Sequence, residues 1–166
     1  MAAASKKLSH VDARGRARMV DVGDKAVTAR TAVAGAVLRM RPATLRRIVA
    51  GGMPKGDVLA VARIAGIAAA KQTAQLIPLC HPLLLSHVEV EFRPAVARGA
   101  LAVESSVRLE GRTGAEMEAL TATAIAALTV YDMCKAIDRA ITITDLRLLG
   151  KTGGKSGTFV RGGARA

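Results

Sequence analysis

The chain carries its positive charge mainly on arginine, with 17 Arg against 8 Lys. Lys6 and Lys7 sit in a polar leader, and Lys25 and Lys71 read as solvated charges. The other four stand in unusual contexts. Lys55 lies in Met53-Pro54-Lys55-Gly56-Asp57 and Lys135 in Tyr131-Asp132-Met133-Cys134-Lys135, while Lys151 and Lys155 flank Thr152-Gly153-Gly154. A guanidinium keeps its proton near neutral pH, whereas an ammonium can release it once desolvated or crowded by other cations. Lysines kept at glycine-flanked sites therefore point to amine acid–base chemistry. The competing reading is codon-driven arginine enrichment with lysines left over by chance.

Around Asp132 the spacing predicts a helix. At 100° per residue Glu118, Thr121, Ile125, Leu128, Asp132 and Lys135 share one face, within about 100° of each other. A partly buried Asp132 at i, i+3 from Lys135 could position the amine and tune its pKa. The alternative is an intrahelical ion pair worth at most about 0.5 kcal/mol. Glu116 has a structural reading of its own, as the N3 residue of a capping box Thr113-Gly114-Ala115-Glu116.

Ile77-Pro78-Leu79-Cys80-His81-Pro82 holds a thiol and an imidazole between two prolines. The prolines extend the backbone and remove two donors, leaving the backbone groups of Cys80 and His81 for a ligand. Neighbours on an extended segment point to opposite sides, so His81 is badly placed as a base for a Cys80 nucleophile. Only His10 and His87 could add to a metal site. The pattern favours a shaped pocket wall over a nucleophile or metal centre.

The glycine-rich end, Gly150-Lys151-Thr152-Gly153-Gly154-Lys155-Ser156-Gly157, invites comparison with a P-loop. The first glycine of that motif would fall on Leu149, and few residues remain to form the helix it must open. An NTPase is rejected. A cationic segment whose Lys151 and Lys155 close over phosphates survives, with glycine amides as extra donors. A disordered basic tail is the other reading.

The elements that must position these groups follow from periodicity. Residues 1–9 read as a flexible leader and 10–24 as a basic arm that can pair with or fold over a neighbour. A first strand spans 26–40. Pro42 opens a helix that Gly51-Gly52 closes. Asp57 is a good N-cap for a helix over 58–75. Val88-Glu89-Val90-Glu91-Phe92 and residues 101–110 alternate as strands around a turn at 94–99. The capping box opens a long helix to about 137, and a last strand over 141–149 runs into a flexible tail over 150–166. The order is β-α-α-β-β-α-β, an α+β ferredoxin-like βαββαβ fold with helices packed on one face of an antiparallel sheet. Glu89, Glu91, Glu104, Arg108 and Glu110 fall on the open face, which meets water or another subunit.

The totals bound the rest. A chain of 166 residues is one domain with a real core, 51% hydrophobic but only 2% aromatic. The core is built from Ala, Val, Leu and Ile. A net charge of +12 favours an anionic partner. Its basic residues are dispersed and stacking aromatics are scarce, which argues against nucleic acid. Cys80 and Cys134 form no CxxC pair, and no apolar run of about 18 residues is free of charge. A soluble, cytoplasmic protein is expected, binding neither membrane nor nucleic acid.

Lys55-Gly56-Asp57-Val58, residues 62–67 and 76–82, Thr113-Gly114-Ala115-Glu116-Met117-Glu118, Tyr131-Asp132-Met133-Cys134-Lys135-Ala136 and Gly153-Gly154-Lys155-Ser156-Gly157 together resemble the MoaC family. That family comprises the cyclic pyranopterin monophosphate synthases of molybdenum-cofactor biosynthesis. The resemblance runs from about His10 to Ser156, in order, with no departure at a position the family uses. It implies 3′,8-cyclo-7,8-dihydroguanosine 5′-triphosphate as substrate, made from GTP by a radical-SAM enzyme, and pyrophosphate as by-product. It implies a ferredoxin-like fold and a homohexamer built as a trimer of dimers, with sites at a subunit interface. Lys55 and Lys135 match the family's acid–base lysines and Asp132 its active-site aspartate. Leu79, Cys80, His81, Met117 and Glu118 match substrate-contacting positions, and Asp21, Arg30, Glu116 and Lys151 further pocket residues. No resident cofactor is implied beyond a magnesium ion that could accompany the triphosphate. Two lysines in a cationic pocket are expected to have lowered pKa values, one donating while the other accepts.

Overall fold

The computed structural model of the chain describes residues 14–162. The expected leader at 1–9 and residues 163–166 of the expected tail lie outside the described residues. Strand β1 spans Thr28–Arg39, slightly inside the predicted 26–40. Helix α1 covers Pro42–Val49, with the proline in its first turn as predicted. Helix α2 runs Val58–Lys71, and the amide of Ala60 donates to the Asp57 carboxylate at 3.0 Å, so the predicted cap forms.

The helix predicted over 58–75 is interrupted. It ends at Lys71, and a separate turn, α3 (Thr73–Leu76), follows. The buried Thr73 hydroxyl donates to the carbonyls of Ala69 and Ala70 at 3.2 and 3.1 Å, satisfying oxygens at the end of α2. Strands β2 (His87–Ala95) and β3 (Ala100–Gly111) form the expected hairpin, joined by one 3₁₀ turn. Helix α4 spans Glu116–Cys134, stopping three residues short of the predicted end. Strand β4 (Thr142–Thr152) takes in Gly150, Lys151 and Thr152, which were expected in the tail. A two-residue strand β5 (Phe159–Val160) then pairs back onto Gly150 and Lys151.

The sheet order is β2-β3-β1-β4-β5, antiparallel throughout. That is the predicted βαββαβ arrangement with one short edge strand added. Leu101, Val103, Ser105, Val107 and Leu109 of β3 all turn inward and are buried. The intervening residues of β3 face the other way, as period two requires. On that open face Arg93 pairs with Glu91 and Glu104 at 2.6 and 3.1 Å.

Small side chains set the spacing of the layers. Ala32 and Ala34 of β1 are fully buried against Ala115 and Ala119 at the start of α4. Gly66 of α2 faces α4, and a Cβ there would lie 2.9 Å from the Ala122 carbonyl oxygen and 3.2 Å from the Ala126 Cβ. The scarcity of aromatics is thus matched by close backbone approach. Helices α2 and α4 run antiparallel: the start of α2 meets the end of α4, and the segment after α3 meets its beginning.

Candidate active site

The first cluster forms where the loop before α2 meets the end of α4. Met53 is buried in the core, and its carbonyl accepts the Gly56 amide at 3.0 Å, so the loop carrying Lys55 is anchored from beneath. The Lys55 ammonium donates to Asp132 Oδ2 at 2.9 Å and to the Asp132 backbone carbonyl at 3.1 Å. Lys135 Nζ lies 2.7 Å from Asp132 Oδ1. One carboxylate therefore holds two ammonium groups, one on each oxygen. The exposed carbonyls at the C-terminus of α4 favour cations at the same place.

Two expectations change here. Asp132 is 55% exposed, not partly buried: in the last turn of α4 Met133 and Cys134 are buried in the core, and Asp132 is on the outward side of the helix. Its carboxyl is drawn down to about 2 by the hydrogen bonds and charges of Lys135 and Lys55. Lys135 is pushed up, not down, by its hydrogen bond to Asp132 and by that carboxylate's charge. The carboxylate stabilises the ammonium form more than desolvation opposes it.

The second cluster forms at the other end of α4. The predicted capping box does not close: the N-cap is Ala115, with no side-chain cap, and Glu116 is the first helical residue. Glu116 instead faces Lys151, with Nζ 3.7 Å from Oε1. Lys151 also donates to the Ser156 hydroxyl. Ser156 was not singled out in the sequence, where only its neighbouring lysines carry a chemical signal. Gly153 and Gly154 adopt positive φ of 89° and 71°, and a side chain at Gly154 would run into the Arg30 guanidinium. The turn thus lies directly over Arg30, whose Nε donates to the Gly111 carbonyl at 2.9 Å.

Glu118, in the first turn at the same end, is only 4% exposed. Burial, with the charge of Glu116 added, raises its carboxyl to about 6. Cys80 is close enough to feel that charge: burial first, then Glu118, pushes its thiol up, away from thiolate. That suits a pocket wall better than a nucleophile. The Cys80 amide is not left for a ligand, since it donates to the Ile77 carbonyl at 3.1 Å. The His81 ring nitrogen Nε2 lies 2.8 Å from the Val20 carbonyl, so the imidazole holds the segment that carries Asp21. Asp21 itself accepts the Gly23 amide at 2.8 Å. Leu79 and Met117 lie partly exposed in this region.

The predicted residues therefore gather into two groups. Lys55, Asp132 and Lys135 meet at one end of α4. Glu116, Glu118, Lys151, Arg30, Cys80 and His81 surround the other. At 1.5 Å per residue, Glu118 and Asp132 are about 21 Å apart along the helix, so one chain does not bring the groups together. Among the described residues no three His, Cys, Asp or Glu side chains form a metal-holding group, and no helix is long and apolar enough to cross a membrane.

Comparison with known proteins bears on the chain as a whole. The model of the MoaC family matches residues 19–154. The chain is similar to a cyclic pyranopterin monophosphate synthase of Chloroflexus aggregans, 63% identical over 161 residues, 97% of this chain and 98% of that one. It is equally similar, at 63% over 153 residues, to one from a Roseiflexus species, covering 92% of this chain and 97% of that one. A relative of the same name from Pelotomaculum thermopropionicum is 56% identical over 159 residues, 96% of this chain and 94% of that one.

Proposed function

The chain belongs to the MoaC family, and from that premise we propose that it converts 3′,8-cyclo-7,8-dihydroguanosine 5′-triphosphate to cyclic pyranopterin monophosphate in molybdenum-cofactor biosynthesis. The observation that carries the reading is the single Asp132 carboxylate shared by Lys55 and Lys135, in a chain so similar to synthases along its length. Opening the purine and rebuilding it as a pterin takes several proton transfers, which positioned amines can mediate. Lys55 is the principal acid, and Lys135 is its partner, held by Asp132.

The closing step is a lyase reaction. The 3′ hydroxyl gives its proton to a general base as its oxygen bonds to the α-phosphorus, the bond from that phosphorus to the oxygen bridging to the β-phosphate breaks, and pyrophosphate leaves. Negative charge builds on the departing group, and cations arranged around it lower the barrier. Arg30 and Lys151 are suited to that task, with amides of the glycine turn over residues 153–157 as further donors, apart from that of Gly157, which donates to the Gly154 carbonyl. Glu118, Cys80, His81, Leu79 and Met117 shape the pocket for the base, and Asp21 and Glu116 border it. A magnesium ion accompanying the triphosphate would enter as part of the substrate.

The working unit in this proposal is a cytoplasmic homohexamer, a trimer of dimers, in which the lysine cluster of one subunit faces the Glu118 and Lys151 cluster of another. Support comes from the separation of the two groups along α4 and from the exposure of Val61, Ile64 and Leu128 on α2 and α4 between them. Large apolar side chains left in water are favourable to cover. A radical-SAM enzyme acting on GTP supplies the substrate.

Turnover of freshly prepared 3′,8-cyclo-7,8-dihydro-GTP tests the proposal, reading pyrophosphate and pterin together beside a Lys55→Ala control. Both products from the native protein and neither from the variant are expected. No product from folded, assembled native protein would refute the activity, and native turnover by Lys55→Ala would refute the role of Lys55.

A further inference from the structure

Asp138 lies just beyond the lysine cluster, in the turn that follows α4, and is only 2% exposed. A carboxylate removed from water must be matched by donors. Its donors all belong to the start of α1. The Arg41 backbone amide donates to Oδ2 at 3.0 Å, the buried Thr44 hydroxyl donates to the same oxygen at 2.9 Å, and Arg41 Nε lies 3.3 Å away. The Arg41 guanidinium also donates to the Ile137 carbonyl. Burial raises the Asp138 carboxyl, but the Arg41 amide, the Thr44 hydroxyl and the Arg41 charge outweigh it, so the group titrates below its ordinary value.

This contact replaces something α1 lacks. Its N-cap residue is Arg41, which makes no side-chain cap of its own. Asp138, 97 residues away in sequence, accepts the amide of the N-cap residue itself, the part that an N3 carboxylate plays in a capping box. The two strands of chain joined in this way are the ones that carry the lysine cluster. From Arg41 the chain passes through the buried Leu45, Ile48 and Met53 to Lys55. Going back from Asp138, it passes Lys135 and the buried Cys134 to Asp132. The Asp138 amide donates to the Cys134 carbonyl at 3.0 Å, making the turn short and stiff.

We propose that Asp138 is a positioning residue for catalysis: by tying the start of α1 to the end of α4, it fixes the span across which Asp132 holds Lys55. The inference rests on the acid–base reading of Lys55, Asp132 and Lys135. A purely structural role makes a different prediction, since it would lower the folded fraction and leave the turnover of folded enzyme unchanged.

The test uses the full-length assembled protein and compares native, Asp138→Ala, Asp138→Asn, Thr44→Val and Lys55→Ala. The kcat and KM for 3′,8-cyclo-7,8-dihydro-GTP are measured separately, at a temperature where circular dichroism finds each variant folded. Small misplacement of a reacting group is costly, so Asp138→Ala should lose about tenfold or more in kcat, with KM changed by less than about threefold. Asp138→Asn keeps an oxygen that accepts from Arg41 and Thr44 and should recover to within about threefold of native kcat. Native kcat in folded Asp138→Ala, with Lys55→Ala inactive, would overturn the inference and leave the acid–base reading standing. Native turnover in Lys55→Ala would overturn both. Should Asp138→Ala fail to fold, Thr44→Val decides: about a threefold loss in kcat supports the tie, and native kcat overturns it.

Discussion

Glu118 and Asp132 stand at opposite ends of one helix, Glu118 buried beside Cys80 and Asp132 exposed between two lysines. Helix α4 is therefore the rigid member that sets the distance between the two groups. A rigid spacer cannot bend to unite its own ends, and in the proposed assembly the convergence comes from a second subunit.

That geometry predicts complementation between inactive variants. Lys55→Ala damages the lysine cluster and Lys151→Ala the opposite one. If the subunits are mixed under conditions that exchange them, about half the dimers become mixed, and each mixed dimer has one undamaged composite site. Turnover should return to about a quarter of native. Mixing Lys55→Ala with Lys135→Ala, which damage the same cluster, should restore none. A mixture of Lys55→Ala and Lys151→Ala that stays inactive despite verified exchange would rule out a composite site.

Asp132 stabilises the ammonium form of Lys135, and removing its charge should be visible directly. The carboxylate now holds the Lys135 ammonium above its ordinary value. In Asp132→Asn the anion is gone, while the amide oxygen can still accept a weaker hydrogen bond. The Lys135 ammonium should then titrate lower than in the native protein, which heteronuclear NMR of the lysine side chains can follow. An unchanged or higher Lys135 titration would show that another group sets it. Turnover should fall by about a hundredfold, as expected when a proton-transfer pair loses its orientation.

Much of this was legible in the sequence because local rules and the final fold agree. Asp57 caps α2 as its type and position predict, and the alternation of β3 survives residue for residue into inward and outward faces. The capping box at Thr113 failed for a tertiary reason: Glu116 is drawn toward Lys151 on β4, a partner 35 positions away that no local pattern reports. The break after Lys71 depends on Thr73 turning its hydroxyl back onto α2, a choice that helix periodicity does not encode. The identity of the lysine cluster came from motifs, but its electrostatics did not. Nothing in the spacing says that one carboxylate contacts both ammonium groups, and that contact decides the direction in which Lys135 shifts.

Glu118 makes stability depend on pH in a direction opposite to that of a salt-bridged carboxylate. Its folded value, about 6, lies above the ordinary carboxyl range, so the folded state binds the proton more tightly than the unfolded chain. The resulting stabilisation is complete at pH values below the unfolded value, about 4.3, and is lost as pH rises through about 6. Glu118→Gln removes the titration. Relative to native, the variant should gain stability between about pH 4 and pH 7.5, by at most about 2 kcal/mol. Thermal or urea unfolding at the two pH values measures the difference. A gap between variant and native that is constant with pH would mean that Glu118 ionises freely in the fold.

Gly66 tests whether the close approach of α2 and α4 is required. Alanine inside a helix normally adds about 1 kcal/mol of stability over glycine. Here the added Cβ would lie 2.9 Å from the Ala122 carbonyl oxygen, 3.1 Å from a Val90 methyl and 3.2 Å from the Ala126 Cβ. The nearest of these is backbone, which cannot rotate aside, so the helices must separate. Overpacking of this kind costs about 1–3 kcal/mol and should outweigh the gain in propensity. Gly66→Ala is therefore expected to lower stability by about 1 kcal/mol, seen as a lower urea midpoint with an unchanged slope. Because Lys55 comes from the α2 side and Asp132 from α4, separation should also lengthen their contact and reduce the kcat of the folded variant. A midpoint equal to or above native would show that the two helices adjust without strain, and the small residues between them would then need another explanation.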